Sequence, residues 1–433
     1  MEKLIIQGRN PLKGEIAVSG SKNAALKIFP VALLIQEPIR VFNVPEIEDI
    51  FRAQEMLIAL GGEVKKVKDG VFDIKFSLPV RQAGASGGKN QKGIILPTGL
   101  VNKFRASIMF VGPMLAKFGE VSFPHPGGCV IGAGVRPIDL FLDSFEKMGA
   151  KLKISDGYYR LTANKLKGAD IFFSKVSVTA TESLMMTACF ASGETTLKNC
   201  AMEPEIVSLA QYLNSCGAKI SGAGTPIIKI KGIKKLAGGI YKIIPDRIEA
   251  GTFAMMAAAS NSGKIFIKNC EPNHLEALWI LFDKIGVNYK LSKNSIEVSP
   301  SKKILACDVI THEYPGFATD LQSLYTVLMT QAHGSSLIHE TIYDRRLLFT
   351  DTLVQMGANI TMCDPHRVVV SGQNKLYGRK LVSPDLRAGV ALVVAALIAH
   401  GKTEIDNIYQ IDRGYEKLDE RLRALGADIK RIK

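Results

Sequence analysis

The chain has 433 residues, of which 47% are hydrophobic and 22% charged, and its formal net charge is +14. This balance is typical of a globular protein and excludes a disordered chain. Apolar runs such as residues 388–399 are shorter than the roughly 18 residues of a membrane span, and the opening residues MEKLIIQG turn polar too early for a signal peptide. We therefore expect a cytoplasmic protein that has no contact with membranes.

The positive charge favours acidic partners, which are either nucleic acid or small phosphorylated molecules. Lys and Arg are spread along the chain, and the one Trp, 11 Tyr and 19 Phe fall in apolar segments. A nucleic-acid surface would need clustered cations and exposed aromatic rings for stacking. The sequence therefore favours small phosphorylated molecules over nucleic acid, although charge alone does not choose between them.

In chain order, six helical stretches end in a glycine and run into a strand. Each stretch has apolar residues at helical spacing, as in residues 138–148 and 415–425. The glycine supplies the residue with positive φ that ends such a helix. From the second glycine onward the spacing is nearly even, which indicates an internal repeat. The six glycines are Gly61, Gly149, Gly217, Gly286, Gly357 and Gly426.

Each repeat also contains a second helix that is apolar on nearly all sides, such as residues 250–259 and 388–399. This pattern predicts a helix buried in a core. The buried helices begin with polar or charged residues, which partly reflects N-capping by Ser, Thr and Asp. Lys and Arg at a helix start oppose the helix dipole, so their presence there suggests a bound anion. Such starts occur at residues 21–23, 105–107, 177–179, 246–249, 319–320 and 385–387.

Six repeats of this kind predict two domains of three repeats, with a boundary near Ile244. The expected fold is α/β, an inside-out arrangement with buried helices inside and short strands outside. If the N-termini of the buried helices converge on one cleft, their partial positive charges and the nearby cations would hold a polyanion there.

Neither a disulfide framework nor a metal centre is indicated. The seven cysteines are widely scattered without a Cys-x-x-Cys pair, and the seven histidines form no spaced ligand set. We therefore expect no metal and no cofactor. The cysteines are Cys129, Cys189, Cys200, Cys216, Cys270, Cys307 and Cys363.

Four short motifs occur in an order that identifies a family. They are SGSKNAA at 19–25, RASI at 105–108, PGGC at 126–129 and IDRGYE at 411–416. With these motifs the chain resembles the UDP-N-acetylglucosamine 1-carboxyvinyltransferases from end to end. The related family that acts on shikimate 3-phosphate, the 3-phosphoshikimate 1-carboxyvinyltransferases, is the alternative. It is similar in architecture but lacks the KNAA and GGC forms.

The resemblance implies a two-domain inside-out α/β barrel of six βαβ-type units. The first domain would comprise residues 22–244, and the second would comprise 1–21 plus 245–433. It also implies that the sugar hydroxyl of UDP-N-acetylglucosamine adds to C2 of phosphoenolpyruvate, and that phosphate then leaves a tetrahedral intermediate. The oligomeric state does not follow from the sequence, and a monomer is the default expectation.

Cys129 lies in a loop whose glycines permit close approach to a ligand. From the sequence alone, this cysteine is equally compatible with a buried residue in a glycine-rich turn. The resemblance implies that it donates a proton to the substrate and is the cysteine that fosfomycin alkylates.

The other catalytic candidates are cations and carboxylates. Lys22, Arg136 and Arg413 are expected on the phosphate and carboxylate of phosphoenolpyruvate, with Arg346 and Arg387 in the same anionic pocket. Surface ion pairing is the ordinary alternative for such cations.

Asp320 is the candidate base for the sugar hydroxyl, and Asp385 is a second carboxylate near the reacting centre. For an Asp at the start of a helix, capping is the commoner function, and it does not exclude the catalytic one.

The resemblance also indicates the residues for the nucleotide sugar. Backbone groups and Ser177 at a helix start could bind phosphate oxygens, and Pro137 could contact the uracil ring. The matching positions are Asn23, Arg105, Arg136, Pro137, Ile138, Asp139, Leu140, Lys175, Val176, Ser177, Val178, Asp320 and Ile342.

The chain departs from the family pattern at three places. Two additional residues separate the cysteine loop from Arg136, Phe141 stands where many members have His, and Thr179 stands where Gly is common. These departures affect the contacts expected of Arg136 and of the turn at 177–179.

Overall fold

A computed structural model describes residues 2–77, 94–127 and 138–432 of the chain. The described residues form an α/β structure with six sheets, none of which closes on itself. They divide into two compact units. The first unit comprises the described residues between 20 and 244, and the second comprises 2–19 together with the described residues from 245 onward.

Three sheets belong to the first unit, and neighbouring strands in each sheet are hydrogen-bonded in the following order. The first sheet contains Gly239–Lys242, Ile39–Phe42, Val71–Phe76 and Gly62–Lys68. The second contains Glu120–Pro124, Tyr158–Thr162 and Lys151–Ser155. The third contains Lys219–Ser221, Ile227–Lys231, Glu194–Lys198 and Asp170–Phe172.

The second unit also has three sheets in its described residues. The first contains Asn288–Ser292, Ser295–Ser299, Ile265–Lys268 and Gly14–Ala17. The second contains Val309–Ile310, Gly334–His339, Arg367–Gly372 and Asn359–Asp364. The third contains Lys380–Val382, Lys402–Asp406, Lys3–Gln7 and Asp428–Ile432.

The N-terminal strand Lys3–Gln7 lies within that last sheet. It pairs antiparallel with Lys402–Asp406 on one side and with Asp428–Ile432 on the other. Backbone hydrogen bonds of both edges of the strand are thereby satisfied, which ties the start of the chain to its end.

Each sheet contains a parallel contact, and in four of the six sheets a buried helix connects the two segments that meet there. In five sheets it is a pair of strands, such as Asp170–Phe172 with Glu194–Lys198. In the remaining sheet it is a single bridge between Ile95 and Ser122. Parallel strands require a crossover connection, and in those four sheets a helix provides it. The other two parallel pairs, Gly239–Lys242 with Ile39–Phe42 and Ile265–Lys268 with Gly14–Ala17, join strands that lie far apart along the chain. The predicted α/β fold of six repeated βαβ-type units with buried helices is confirmed.

The six buried helices are named α1 to α6. Most residues of each helix are buried and apolar, as predicted for segments 250–259 and 388–399. The helices are α1 Lys22–Leu34, α2 Val111–Phe118, α3 Val178–Ala188, α4 Arg247–Ser260, α5 Gln322–Met329 and α6 Leu386–Ile398.

Short 3₁₀ helices precede two of the buried helices. Arg105–Phe110 leads into α2, and Thr319–Leu321 leads into α5. The other four buried helices start directly after a capping residue: Ser21, Ser177, Asp246 and Asp385. The remaining short helices are Thr98–Val101, Pro272–Leu275, Arg346–Phe349 and Tyr409–Asp412.

Six amphipathic helices cover the outside, and the glycine after each one has positive φ. All six glycines predicted from the repeat have φ between 78° and 107°. The stretch predicted to be helical from Tyr415 begins only at Leu418, because Lys417 has a left-handed φ of 43°. The helices are Glu48–Ala59, Asp139–Lys147, Pro204–Ser215, Glu276–Ile285, Thr350–Gln355 and Leu418–Ala424.

Two separate hydrophobic cores hold these elements, one in each unit. Full burial of a Leu, Ile, Val or Phe side chain stabilises a fold by about 1.5–3 kcal/mol. No helix in the described part of the chain is long and apolar enough to cross a membrane.

Candidate active site

In the second unit, the candidate base Asp320 is held between two arginines. It lies in the 3₁₀ turn at the start of α5. Arg346 Nη2 donates to its Oδ1 at 2.8 Å, and Arg387 Nη2 donates to its Oδ2 at 2.7 Å. The Asp320 side chain is 27% exposed, whereas those of Arg346 and Arg387 are 3% and 8% exposed. The Asp320 side chain is therefore partly accessible, whereas the two arginines that bind it are buried.

The arginines determine the protonation of this carboxyl group. Burial alone would raise the pKa of Asp320, but the charges and hydrogen bonds of Arg387 and Arg346 outweigh that effect and hold the pKa well below its usual range. Asp320 is thus a carboxylate at neutral pH. A carboxylate with such a lowered pKa is a weak base.

Of the two candidate aspartates, Asp385 caps a helix and Asp320 does not. No side-chain cap bond is present at the start of the turn that contains Asp320, so its carboxylate is not used as a helix cap. Asp385 does cap α6, since its Oδ1 accepts from the backbone N–H groups of Arg387 and Ala388 at 2.8 and 3.0 Å. This cap fixes the backbone from which the Arg387 side chain reaches Asp320.

The motif at 411–416 contributes a buried tyrosine next to this group. The hydroxyl of Tyr415 is 2.8 Å from Thr252 Oγ1, and Arg387 Nη1 donates to it at 3.5 Å. Arg413 is also buried, and its Nη1 donates to Gln410 Oε1 at 3.1 Å. The motif therefore braces Arg387 through Tyr415 and holds Arg413 at the end of a short helix.

In the first unit, Lys22 is the first residue of α1. Its Nζ lies 2.7 Å from Oδ2 of Asp49 on an outer helix, and both side chains are largely buried. Ser21 caps α1, and a Cβ at Gly20 would lie 1.8 Å from the carbonyl oxygen of Asn43. The SGSK motif thus has a local cause, because only glycine fits before the cap.

One turn along α1, Lys27 links that helix to α3. Its Nζ donates to the backbone carbonyl of Asn23 at 2.7 Å and lies 2.8 Å from Oε2 of Glu182. Glu182 is fully buried, and burial raises its pKa to about 7 despite the opposing charge of Lys27. The hydrogen bond from Lys27 holds the backbone carbonyl of Asn23, a residue predicted to bind the nucleotide sugar.

Other residues predicted to bind the nucleotide sugar lie at helix starts of the first unit. Arg105 begins the 3₁₀ turn before α2, and its Nη1 donates to the Pro126 carbonyl at 3.2 Å. The Ser177 hydroxyl caps α3 by accepting from the N–H of Ala180 at 3.2 Å. Its neighbours are accessible, since Lys175 is exposed and Val176 and Val178 are half-buried.

The remaining predicted positions are divided between described and undescribed parts of the chain. Ile138 is buried, Asp139 is exposed and Leu140 is half-buried at the start of an outer helix. Ile342 is half-buried in a turn of the second unit. The predicted residues that fall outside the described part of the chain are Cys129, Arg136 and Pro137.

Several residues around the site were not foreseen from the sequence. Asp49 pairs with Lys22. Thr319 accepts a hydrogen bond from Arg346, and Glu340 is linked to Arg346 through Thr319. These contacts join residues that are far apart in the sequence, so no local sequence pattern indicated them. Glu340 could have been found by aligning the six repeats, because it stands where four of the repeats have an asparagine.

Four of the six described cysteines are buried, and they are Cys189, Cys200, Cys216 and Cys270. Burial raises the pKa of the Cys200 and Cys270 thiols to about 11, so they remain protonated at neutral pH. Cys307 is half-buried, and Cys363 is exposed.

Comparison with known proteins gives full-length matches. A sequence profile of the family described as EPSP synthase (3-phosphoshikimate 1-carboxyvinyltransferase) matches residues 6–422. The UDP-N-acetylglucosamine 1-carboxyvinyltransferase of Koribacter versatilis is 43% identical, over 100% of this chain and 97% of the relative. That of Treponema denticola is 42% identical, over 99% of each chain.

Among solved structures, the enolpyruvyl transferase NikO from Streptomyces tendae matches with a TM-score of 0.86 at 24% identity, over 100% of this chain and 99% of that chain. EPSP synthase from Acinetobacter baumannii matches with a TM-score of 0.72 at 16% identity, over 100% of both chains. At such identities the likeness concerns the fold alone. The sequence matches are far stronger, and the chain belongs to the family of UDP-N-acetylglucosamine 1-carboxyvinyltransferases, within the larger group of enolpyruvyl transferases that includes EPSP synthase.

Proposed function

We propose that this protein transfers the enolpyruvyl group of phosphoenolpyruvate to the 3-hydroxyl of UDP-N-acetylglucosamine and releases phosphate, the first committed step toward peptidoglycan. The names of full-length relatives at 40–43% identity carry the choice of acceptor. The arrangement around Asp320 supports the chemistry, because a partly exposed carboxylate is bound by two buried cations.

The reaction has an addition step and an elimination step. In the addition, Asp320 accepts the proton of the sugar 3-hydroxyl, the oxygen bonds to C2 of phosphoenolpyruvate, and Cys129 donates a proton to C3. In the elimination, C3 loses a proton, the C2–C3 double bond re-forms and phosphate leaves. The role of Cys129 rests on the family resemblance and that of Asp320 also on its geometry.

Substrate anions would turn Asp320 into a working base. The two guanidinium groups now donate to the carboxylate, and each has further N–H donors available for an anion. When a phosphate or carboxylate of the substrate shares them, their stabilisation of the Asp320 anion weakens and its pKa rises. Asp320 would thus become basic only after the anionic substrate is bound.

The remaining residues are assigned by their positions. Lys22, Arg136 and Arg413 would hold phosphoenolpyruvate together with Arg346 and Arg387, and Asp385 would hold Arg387 in place through its cap. The nucleotide sugar would contact the helix starts of the first unit and Ile342. These residues are Asn23, Arg105, Arg136, Pro137, Ile138, Asp139, Leu140, Lys175, Val176, Ser177, Val178, Asp320 and Ile342.

We further propose that the two compact units are the two enolpyruvyl transferase domains, 22–244 and 1–21 plus 245–433, and that the protein acts as a monomer in the cytoplasm. Their separate hydrophobic cores support the division into domains.

The test measures phosphate release from phosphoenolpyruvate in parallel with UDP-N-acetylglucosamine, with shikimate 3-phosphate and without an acceptor. Release that depends on the nucleotide sugar supports the proposal, and release with shikimate 3-phosphate alone refutes it in favour of the sister reaction. Cys129→Ala should then lower the rate by about 10²-fold or more. The matched control Cys363→Ala changes an exposed cysteine and should leave the rate unchanged.

A further inference from the structure

Four of the six repeats share a structural asparagine directly after the strand that follows the buried helix. Its φ lies between 55° and 59°, a left-handed conformation that asparagine tolerates better than most residues. Its side-chain amide donates, at 2.6–3.0 Å, to the carbonyl of the residue that follows the parallel neighbouring strand. These asparagines are Asn43, Asn199, Asn269 and Asn407.

In the repeat that contains Asp320, this position is occupied by Glu340, which follows the strand Gly334–His339. The structural bond is made by the next residue instead, since Thr341 Oγ1 donates to the carbonyl of Thr311 at 2.5 Å. The side chain of Glu340 is therefore released from the role that asparagine has elsewhere, and it lies fully buried at 0% exposure.

The buried Glu340 carboxylate accepts three hydrogen bonds. Its Oε1 accepts from the backbone N–H groups of Ile342 and Tyr343 at 2.9 and 3.0 Å. Its Oε2 lies 2.7 Å from the Thr319 hydroxyl. The carboxylate thus holds the turn that carries Ile342 and also faces the turn that carries Asp320.

Arg346 and Glu340 are linked by two hydrogen bonds through the Thr319 hydroxyl, and the donor of each bond is fixed. Arg346 Nη1 donates to Thr319 Oγ1 at 2.7 Å, and a guanidinium group can only donate. The Thr319 hydroxyl must then direct its own proton to Glu340, which has to accept it. The same guanidinium donates to Asp320 through Nη2. The two hydrogen bonds through Thr319 therefore fix the orientation of Arg346, one of the two arginines that bind the candidate base.

The geometry points to Glu340 as a positioning residue of the proposed reaction: through Thr319 it orients Arg346 against Asp320, and through two backbone N–H groups it sets the turn of Ile342. Glu340 is removed from the reacting atoms and acts only through these neighbours. This inference rests on the proposed function for its kinetic consequences, but the hydrogen bonds themselves can be tested without it.

The kinetic test compares Thr319→Val, which removes the hydroxyl that links Arg346 to Glu340, with Thr319→Ser, which keeps that hydroxyl. We expect Thr319→Val to lower kcat by about 10- to 100-fold at a nearly unchanged KM for UDP-N-acetylglucosamine, because the turn of Ile342 remains bound to Glu340. Thr319→Ser should restore kcat to within about three-fold of the wild type. Equal rates for the two variants would overturn the inference.

Glu340→Gln should affect both parameters. The amide replaces one acceptor oxygen with a donor, which then faces either the two backbone N–H groups or the hydroxyl of Thr319. We expect kcat to fall and the KM for the nucleotide sugar to rise. The control for general destabilisation is Leu353→Ala, which opens a cavity on the outer helix of the same repeat and should leave both parameters unchanged well below its melting temperature.

A readout independent of activity separates this inference from the proposed reaction. Amide hydrogen exchange at Ile342 and Tyr343 should become about 10-fold faster in Glu340→Ala, which removes both acceptor oxygens, and stay at the wild-type rate in Thr319→Val. Unchanged protection in Glu340→Ala would overturn the inference, even if the wild type releases phosphate as proposed. Conversely, the expected exchange pattern in a protein without transferase activity would refute the proposed function alone.

Discussion

Asp320 shows how one side chain is set by its neighbours rather than by its local sequence. Its position at a helix start suggested a cap, but its carboxylate binds Arg346 and Arg387 instead. A carboxylate paired in this way is strongly stabilised as an anion and is a poor base until its partners are shared. The same contacts that keep the site charged at neutral pH would couple proton transfer to the binding of the anionic substrate.

Replacing Asp320 with Asn tests its role as the base. The amide keeps the volume but accepts no proton, so we expect kcat for phosphate release to fall by about 10²- to 10⁴-fold. The KM for phosphoenolpyruvate should not rise, because the two arginines lose a competing anion. Steady-state kinetics together with a thermal unfolding curve would check this. A kcat within about three-fold of the wild type in a folded variant would contradict the assignment.

At the scale of elements, two of the buried helices are joined by a buried contact between ionisable side chains as well as by apolar packing. Lys27 on α1 lies 2.8 Å from Glu182 on α3, and both side chains are almost completely buried. Burial raises the pKa of Glu182 to about 7, and the nearby charges of Glu205 and Glu203 add to the rise while Lys27 opposes it. The pair connects two helices whose first turns carry residues predicted to bind substrate.

This pair makes the stability of the protein depend on pH. The ordinary pKa of Glu is 4.5, so the unfolded chain ionises Glu182 between pH 4.5 and about 7 while the folded protein keeps its proton. Stability from this group is therefore fully present below pH 4.5 and is lost as the pH rises to about 7, by about 3 kcal/mol in all.

Denaturant unfolding at several pH values would measure that loss. The control is the double variant Lys27→Met, Glu182→Gln, which removes both charges from the two buried helices. The unfolding free energy of the wild type should fall relative to that of the double variant across the window from pH 4.5 to 7. A difference between the two proteins that does not change with pH would contradict the shifted pKa of Glu182.

Single residues also define how elements are joined. Gly20 leaves no room for a Cβ, which would lie 1.8 Å from the carbonyl oxygen of Asn43, and Asn43 itself has a left-handed φ of 59°. Both features occur where the end of the strand Ile39–Phe42 packs against the start of α1. The motif around Lys22 was recognisable from the sequence, but the reason for its glycine is a contact with a residue that lies 23 positions away.

At the scale of the whole molecule, the charge of +14 has a functional consequence. Both proposed substrates are anions, and a positive protein attracts them through a field that salt screens over a distance of about 10 Å at 0.1 M. We expect kcat/KM for phosphoenolpyruvate to fall several-fold as KCl is raised from about 0.05 to 0.5 M, whereas kcat at saturating substrate changes little. A kcat/KM that is independent of salt would show that the net charge does not assist binding.

The sequence by itself determined the repeat, the two classes of helix and the family. The six glycines, the apolar helices and the order of the short motifs are local features, since φ preferences and helical periodicity act within a few residues. The tertiary structure decided which side chains meet. Asp320 with Arg346 and Arg387, Lys22 with Asp49 and Lys27 with Glu182 are pairs whose members come from different elements. Their contact depends on how the helices pack, and packing is fixed by the whole core rather than by any one segment.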